Sequence, residues 1–219
     1  MSFLTKLGER KPEVKETGTT TVGLVCKDGV VLGAEKKSTM GYLVASKESE
    51  KIHSLEDHIA LTVAGAWGDA QAIVRYMKAE LKLFRVQNKR KISVHGAATL
   101  LSNILQNGRW SYVPYMVQLI IAGFDEDGPG IYSIDAIGGS EQEKKFFSTG
   151  SGSPFALGVL EDTYKDGLSV EEGMKTAVRA IRAAVERDIG SGGKGIDIAV
   201  ISKDGIKFQT FSFEKSVKQ

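Results

Sequence analysis

The chain has a single cysteine, Cys26, in 219 residues, which excludes an internal disulfide framework and agrees with a reducing interior. It also lacks a charge excess: 29 basic and 27 acidic side chains leave a formal net charge of +2, so no polycationic surface is available to drive nucleic-acid or anionic-membrane binding. No stretch approaches the roughly 18 consecutive apolar residues of a membrane-spanning helix. The opening segment from Met1 to Pro12 is too polar to hold the apolar region of a secretory signal. Together these absences predict a soluble, cytoplasmic protein. Metal-ligand spacing is missing as well, because His53, His58 and His95 show no metal spacing with a Cys or acidic partner and form no His-Glu-x-x-His motif; no metal is expected. Gly150-Ser151-Gly152-Ser153-Pro154 before a helix has the texture of a phosphate loop but not its Gly-Lys-Ser/Thr ending. The basic run Lys89-Arg90-Lys91 reads as a solvated helix end, where cations suit the helix dipole, so no nucleic-acid partner is expected.

What is present is the mix of an ordinary globular domain, with 42% hydrophobic and 26% charged side chains, enough to close one sizeable core. Residues 1–18 stand apart as a leader, rich in Glu, Lys, Arg, Gly and Pro and without an apolar period of 2 or 3.6. The domain is expected to occupy residues 19–219. Removing the leader would change the net charge only to +1, so charge is not its purpose.

From Thr19 the texture becomes strand-like, with Thr19–Cys26 and Val30–Ala34 about Lys27-Asp28-Gly29 forming a hairpin candidate. Apolar runs at Gly41–Ala45 and Ile59–Ala64 extend this sheet-rich opening around a polar stretch. A 3.6-residue period predicts a helix from Gly68 to about Val86, and a second is predicted over Ser93–Gln106 with Ser93 as its cap. Strands follow at Met116–Phe124, Gly130–Ala136 and Lys144–Ser148. Ser153-Pro154 opens a third helix that ends near Lys165-Asp166-Gly167, and Ser169 with Glu172 has the capping-box spacing of a fourth. Ile196–Ser202 and Ile206–Phe211 close the chain as a hairpin about Lys203-Asp204-Gly205. Helices in pairs between antiparallel strands do not fit a βαβ alternation and predict a layered α+β sandwich.

Gly18-Thr19-Thr20-Thr21-Val22-Gly23 places a small residue before a hydroxyl residue at the seam between leader and first strand. A threonine hydroxyl is a poor nucleophile until a base takes its proton, and cleavage after Gly18 would supply that base as the α-amine of Thr19 itself. An unperturbed α-amine has a pKa of about 7.7 to 8.0, close to working pH. Taken alone, a threonine-rich strand start is commonplace. Lys51 and Glu35 alone read as surface charges, whereas Asp188, an acid at a helix C-terminus, opposes the dipole and invites a functional reason.

Several separated motifs occur jointly and in order: the Gly18–Gly23 start, Lys51, Val63-Ala64-Gly65 with Gly68-Asp69-Ala70-Gln71, Ser148–Ser153, and Arg187-Asp188 followed by Ser191-Gly192-Gly193. On these the chain, from Gly18 to about Phe211, resembles catalytic proteasome β subunits of the archaeal type, members of the N-terminal nucleophile hydrolases. The resemblance implies a four-layer αββα sandwich with two antiparallel sheets between helix pairs. It also implies a threonine endopeptidase without a cofactor, acting on unfolded polypeptide after autocatalytic removal of the leader. Thr19 would be the nucleophile and, with Gly18, the cleavage site; Lys51 would favour its deprotonation, with Glu35 holding the lysine. The N–H of Gly65 would meet the oxyanion, and Ser151, Asp188 and Ser191 would position the amine and a water. Thr39, Val63 and Trp67 would bind substrate. A small apolar Val63 predicts cleavage after hydrophobic residues, although Ser49, His53 and Gln71 bring polarity to the same rim. Implied partners are further β copies in seven-membered rings, stacked α rings, and a regulatory ATPase acting through the α ring. A structural β-type subunit that turns over no substrate, an α-type gating subunit and a related two-ring bacterial peptidase are the alternatives.

Overall fold

Two short β-rich runs joined by Lys27-Asp28 set the frame of the fold. In the computed structural model, which describes residues 18–108 and 115–213, β1 (Thr21–Cys26) and β2 (Gly29–Glu35) pair antiparallel with Cys26 opposite Gly29. Side chains alternate as a period of two requires. Val22, Leu24 and Cys26 face one apolar layer, while Val30, Leu32 and Ala34 face another. Every residue of β2 is buried, so its near-continuous apolar run reflects cover on both faces.

β3 (Ser38–Met40) and β4 (Leu43–Ser46) form a small separate hairpin, followed by β5 (Ile52–Glu56) and β6 (Ile59–Gly65). The helices α1 (Trp67–Asn88) and α2 (Val94–Gly108) come next, then β7 (Val117–Asp125), β8 (Gly128–Ile134), β9 (Ser140–Glu143) and β10 (Phe146–Thr149). A second helix pair, α3 (Ser153–Thr163) and α4 (Val170–Arg187), precedes the closing hairpin of β11 (Gly195–Ser202) and β12 (Gly205–Ser212).

The strands make two five-stranded antiparallel sheets, ordered β10-β1-β2-β11-β12 and β5-β6-β7-β8-β9. Three apolar cores separate four layers. Ile73, Met77, Leu81, Leu101 and Leu105 of α1 and α2 pack on Leu61, Leu119 and Ile121. Leu160, Ala177, Ile181 and Ala184 of α3 and α4 pack on Val22, Leu24 and Ile198. Between the sheets lie Leu32, Ile52, Ile120, Ile131 and Ile201. The α+β sandwich expected from the sequence is therefore the fold. Helix α4 lies close on the sheet at Gly33, where a Cβ would come within 2.8 Å of Ile181 Cδ1.

Helix ends follow the sequence closely. Ser169 Oγ accepts from Glu172 N at 3.3 Å and the Glu172 carboxylate accepts from Ser169 N at 2.9 Å, the reciprocal capping box predicted for α4. Ser93 Oγ accepts from Gly96 N at 3.1 Å at the start of α2. Three strands differ from expectation. Gly41 has φ +63° in the turn between β3 and β4, so the run read as Gly41–Ala45 is the second arm of a hairpin whose first arm, Ser38–Met40, has only one apolar residue. β5 occupies part of the stretch read as polar, and β9, Ser-Glu-Gln-Glu, is an edge strand with nothing apolar to mark it. Residues 1–17 of the expected leader lie outside the described residues.

Candidate active site

The three consecutive threonines do three different things. Thr21, first residue of β1, joins the two sheets: its hydroxyl bonds Thr149 Oγ1 of β10 at 2.6 Å and Thr62 Oγ1 of β6 at 3.1 Å. Thr20 turns to Ser191, with 2.6 Å between the hydroxyl oxygens. Thr19 is left facing a cleft, held at the edge of the sandwich by β1 and by the loop into α3, where Gly152 N donates to its carbonyl at 3.2 Å.

Thr19 Oγ1 accepts from Lys51 Nζ at 3.0 Å and donates to the Gly18 carbonyl at 2.6 Å. Lys51 is 5% exposed and Glu35 is 0% exposed, and the two form an ion pair. Glu35 ends β2, and its carboxylate is fully engaged: Oε1 also accepts from Thr20 N at 3.2 Å, and Oε2 from Lys37 N at 2.7 Å and Gly192 N at 2.9 Å. Burial pushes the Glu35 carboxyl up, opposed by the Lys51 charge and hydrogen bond and by the Lys37 and Gly192 N–H groups. Burial likewise pulls Lys51 down, opposed by Glu35. Its proton affinity is therefore below that of a solvated lysine.

A second group of polar side chains backs Thr19 from the other side. Asp188 caps the C-terminus of α4, and its Oδ2 accepts from Ser151 Oγ at 2.7 Å and Ser191 Oγ at 2.6 Å. Because each serine spends its one hydroxyl proton there, Ser151 Oγ is free to accept from Thr19 N, at 3.1 Å, and Thr20 is the donor to Ser191. Gly190 N adds a bond to Asp188 Oδ1 at 3.2 Å. An acid at this helix end, unfavourable toward the dipole, is thus held by three local donors.

The cleft in front of Thr19 has a volume of about 750 Å³. Val63 and Gly65 of β6, Trp67 and Gln71 of α1, and Thr39 of β3 line it. Gly65 has φ +127°, and a Cβ there would sit 2.1 Å from the Met116 carbonyl oxygen, so only glycine fits. Thr39 Oγ1 accepts from Gly18 N at 3.0 Å, fixing the residue just before Thr19. Of the residues singled out from sequence, Thr19, Lys51, Gly65, Thr39, Val63 and Trp67 border the cleft, while Glu35, Ser151, Asp188 and Ser191 stand behind it.

Sequence reasoning missed Thr20, whose amide and hydroxyl link the lysine–glutamate pair to the Asp188 cluster, and the backbone donors of Lys37 and Gly192. Only the Gly192-Gly193 pair, with φ of +142° and +91°, left a trace of that backbone role in the sequence. A cavity of similar size, about 710 Å³, opens among Asp57, His58, Lys91, Asp125 and Lys203 and includes none of the residues around Thr19. There Glu56, Asp57 and His58 bring possible ligand atoms within 4.8 Å, but Asp57 is paired with Lys91 at 2.7 Å and the His58 ring is held between Asp57 and the Ile92 carbonyl. No helix among the described residues is long and apolar enough to cross a membrane.

Known proteins resemble this chain over most of its length. Residues 15–201 match the family model described as proteasome subunit. The chain is 48% identical over 203 residues to the proteasome subunit beta of Methanoregula boonei, covering 93% of this chain and 92% of that protein. It is 52% identical over 199 residues to the proteasome subunit beta of Archaeoglobus profundus, covering 91% of each, and 52% identical over 190 residues to that of Methanohalophilus mahii, covering 87% and 89%. With its two-sheet sandwich and a match spanning most of its length, this chain belongs to the proteasome subunit family.

Proposed function

We propose that the chain is the precursor of a threonine-type endopeptidase subunit of the proteasome core, with Thr19 as nucleophile once the leader ending at Gly18 is removed. The observation that carries this reading is the contact of one hydroxyl, Thr19 Oγ1, with both a buried lysine and the carbonyl of the preceding residue.

In the unprocessed chain the nitrogen of Thr19 is a peptide amide and takes no proton. Lys51, lowered in proton affinity by burial, is the basic group in contact with Oγ1. Attack of Oγ1 on the Gly18 carbonyl carbon forms an ester as the C–N bond breaks, and the proton from Oγ1 ends on the departing nitrogen. The break frees the α-amine of Thr19, and water then cleaves the ester, releasing a leader carboxylate and restoring the Thr19 hydroxyl. Thr39, which holds Gly18 N, fixes the leader strand for this step and an incoming substrate strand afterwards.

In the mature enzyme the amine inherits the place of the Thr19 amide beside Ser151, backed by Asp188 and Ser191. It takes the Oγ1 proton as the oxygen attacks a substrate carbonyl, while the Lys51 charge, oriented by Glu35, stabilises the developing negative charge. The N–H of Gly65, across the cleft from Thr19, would stabilise the oxyanion, and the acyl-enzyme ester is hydrolysed by water activated at the amine. No cofactor enters this scheme. The relatives' names and coverage support assembly into a proteasome core. Seven-membered β rings on α rings, feeding of unfolded polypeptide by an ATPase through the α ring, and a cytoplasmic location belong to the same proposal.

Intact-mass analysis of the assembled protein tests it. A chain beginning at Thr19 that gains the mass of a threonine-directed electrophile is the expected result, with Thr19→Ala retaining its leader and cleaving no peptide. A Thr19→Ala particle that still hydrolyses peptides at the normal rate would overturn the assignment.

A further inference from the structure

The cleft beside Thr19 contains one imidazole. His53 lies on β5 directly opposite Leu61 of β6. Directly paired residues share a sheet face, and Leu61 belongs to the core under α1 and α2, so His53 looks toward α1. There it lines the cleft with Val63, Ala70 and Gln71. Burial holds the ring below its ordinary pKa, with Glu50 acting upward and Lys78 of α1 downward. The other charges around it are engaged: Lys51 with Glu35, Glu48 with Lys194 at 2.8 Å, and Asp69, in the first turn of α1, with Met116 N at 2.9 Å. Lys82 stands one helical turn beyond Lys78 on α1.

We propose that His53 sets which side chain the cleft accepts from the residue whose carbonyl is attacked. The neutral ring leaves the pocket to uncharged side chains, whereas the protonated ring recruits a glutamate carboxylate. With the ring neutral, Glu50 on the pocket wall repels such a carboxylate. Protonation places a cation on the same wall and adds a charge-assisted hydrogen bond. This selectivity rests on the reading of Thr19 as the nucleophile, because only then does the cleft receive the substrate side chain.

The test uses the assembled, processed protein and two fluorogenic peptides that differ only in Glu or Gln at the residue preceding the scissile bond. Rate losses shared by both peptides, including titration of the Thr19 amine, cancel in the ratio of their kcat/KM values. The Glu-to-Gln ratio is expected to rise about tenfold between about pH 7.5 and about pH 5, a range in which a free glutamate side chain stays mostly ionised. In His53→Gln the ratio should stay flat, and His53→Thr serves if that variant does not assemble. A flat ratio in the unsubstituted protein, or an undiminished rise in either variant, would overturn the role of His53 while leaving Thr19 intact. Failure of the assembled protein to cleave either peptide would instead overturn the Thr19 reading and this one with it.

Discussion

Lys51 Nζ stands 3.0 Å from Thr19 Oγ1 while its charge is balanced by Glu35, a carboxylate with no exposed surface. One lysine therefore serves both the Thr19 hydroxyl and the buried Glu35 carboxylate at the sheet end. The two roles separate by mutation. Lys51→Ala should lower peptide hydrolysis by roughly 100- to 1,000-fold, as loss of one oriented electrostatic group does. It should also cost about 3–5 kcal/mol, because the Glu35 carboxylate stays buried with only backbone donors. The double variant Lys51→Met with Glu35→Gln removes both charges and should recover most of that stability without recovering activity. Thermal melting and peptide turnover measured on the same three proteins check both halves. Turnover in the double variant would show that the lysine is not what activates Thr19.

Asp188 is the acceptor on which two hydroxyl orientations depend, and those orientations leave Ser151 Oγ available to Thr19 N and Ser191 Oγ available to Thr20. Asp188→Asn keeps the shape but exchanges a charged double acceptor for a mixed donor and acceptor. Hydrogen bonds to charged groups are worth about 1.5–3 kcal/mol, so kcat should fall roughly 10- to 100-fold with KM little changed. Ser191→Ala should give a smaller loss, since it removes one link and leaves the Thr20 hydroxyl without its partner. Steady-state kinetics on chains already beginning at Thr19 separate this effect from slowed leader removal.

Much of this site was legible in the sequence because the groups that carry charge or a reactive hydroxyl are also the ones a motif can mark: Thr19, Lys51, Asp188 and the glycines around Ser191. The capping box at Ser169 and the helix stripes of α1 and α4 were legible for the same kind of reason, a fixed spacing imposed by helix geometry. What could not be read was carried by the main chain. The N–H groups of Thr20, Lys37 and Gly192 hold Glu35, and any residue but proline supplies one. Likewise β9 is specified by pairing with β8, not by its own residues, since Ser140–Glu143 has no apolar face. Nor could sequence distinguish the roles of Thr20 and Thr21, because only the approach of β6 and β10 turns Thr21 into a link between sheets.

Gly65 offers a test of backbone conformation at the cleft. At φ +127° it lies outside the range that side-chain-bearing residues adopt, and its Cβ would overlap the Met116 carbonyl. Gly65→Ala must therefore shift β6 away from the start of β7, moving the cleft wall opposite Thr19. A stability loss of about 1–3 kcal/mol is expected from the strained backbone, and the proposed oxyanion role of the Gly65 N–H adds a fall in kcat of at least about tenfold. Gly68→Ala is the control, because no atom lies within 4 Å of a Cβ at that position. If Gly65→Ala and Gly68→Ala hydrolyse peptides equally well, the N–H at this position does not take part in catalysis.

Cys26, at the far end of β1 from Thr19, gives a pH dependence with a definite sign. Its thiol is 2% exposed and its pKa is pushed up to about 12, by burial first and then by Asp28 and Glu172. In the unfolded chain a thiol titrates near about 8.5. The folded state therefore disfavours the thiolate. The resulting contribution to stability is fully present below about pH 8.5 and is lost as the pH climbs from there toward the folded value. Over that interval one proton is linked to unfolding, so the slope contributed by this residue approaches about 1.4 kcal/mol per pH unit. Denaturant unfolding at about pH 8 and about pH 10 should show a larger loss in the unsubstituted protein than in Cys26→Ala. Taking the difference removes Tyr132, and it removes the larger causes acting on Tyr164, burial and then Asp166, leaving only the smaller contribution that Cys26 itself makes to Tyr164. The same thiol should resist alkylation in the native protein near pH 8 and react promptly once the chain is unfolded. Equal alkylation rates in the two states would mean that α4, whose Gly173 packs against the sulfur, does not seal this end of the sheet.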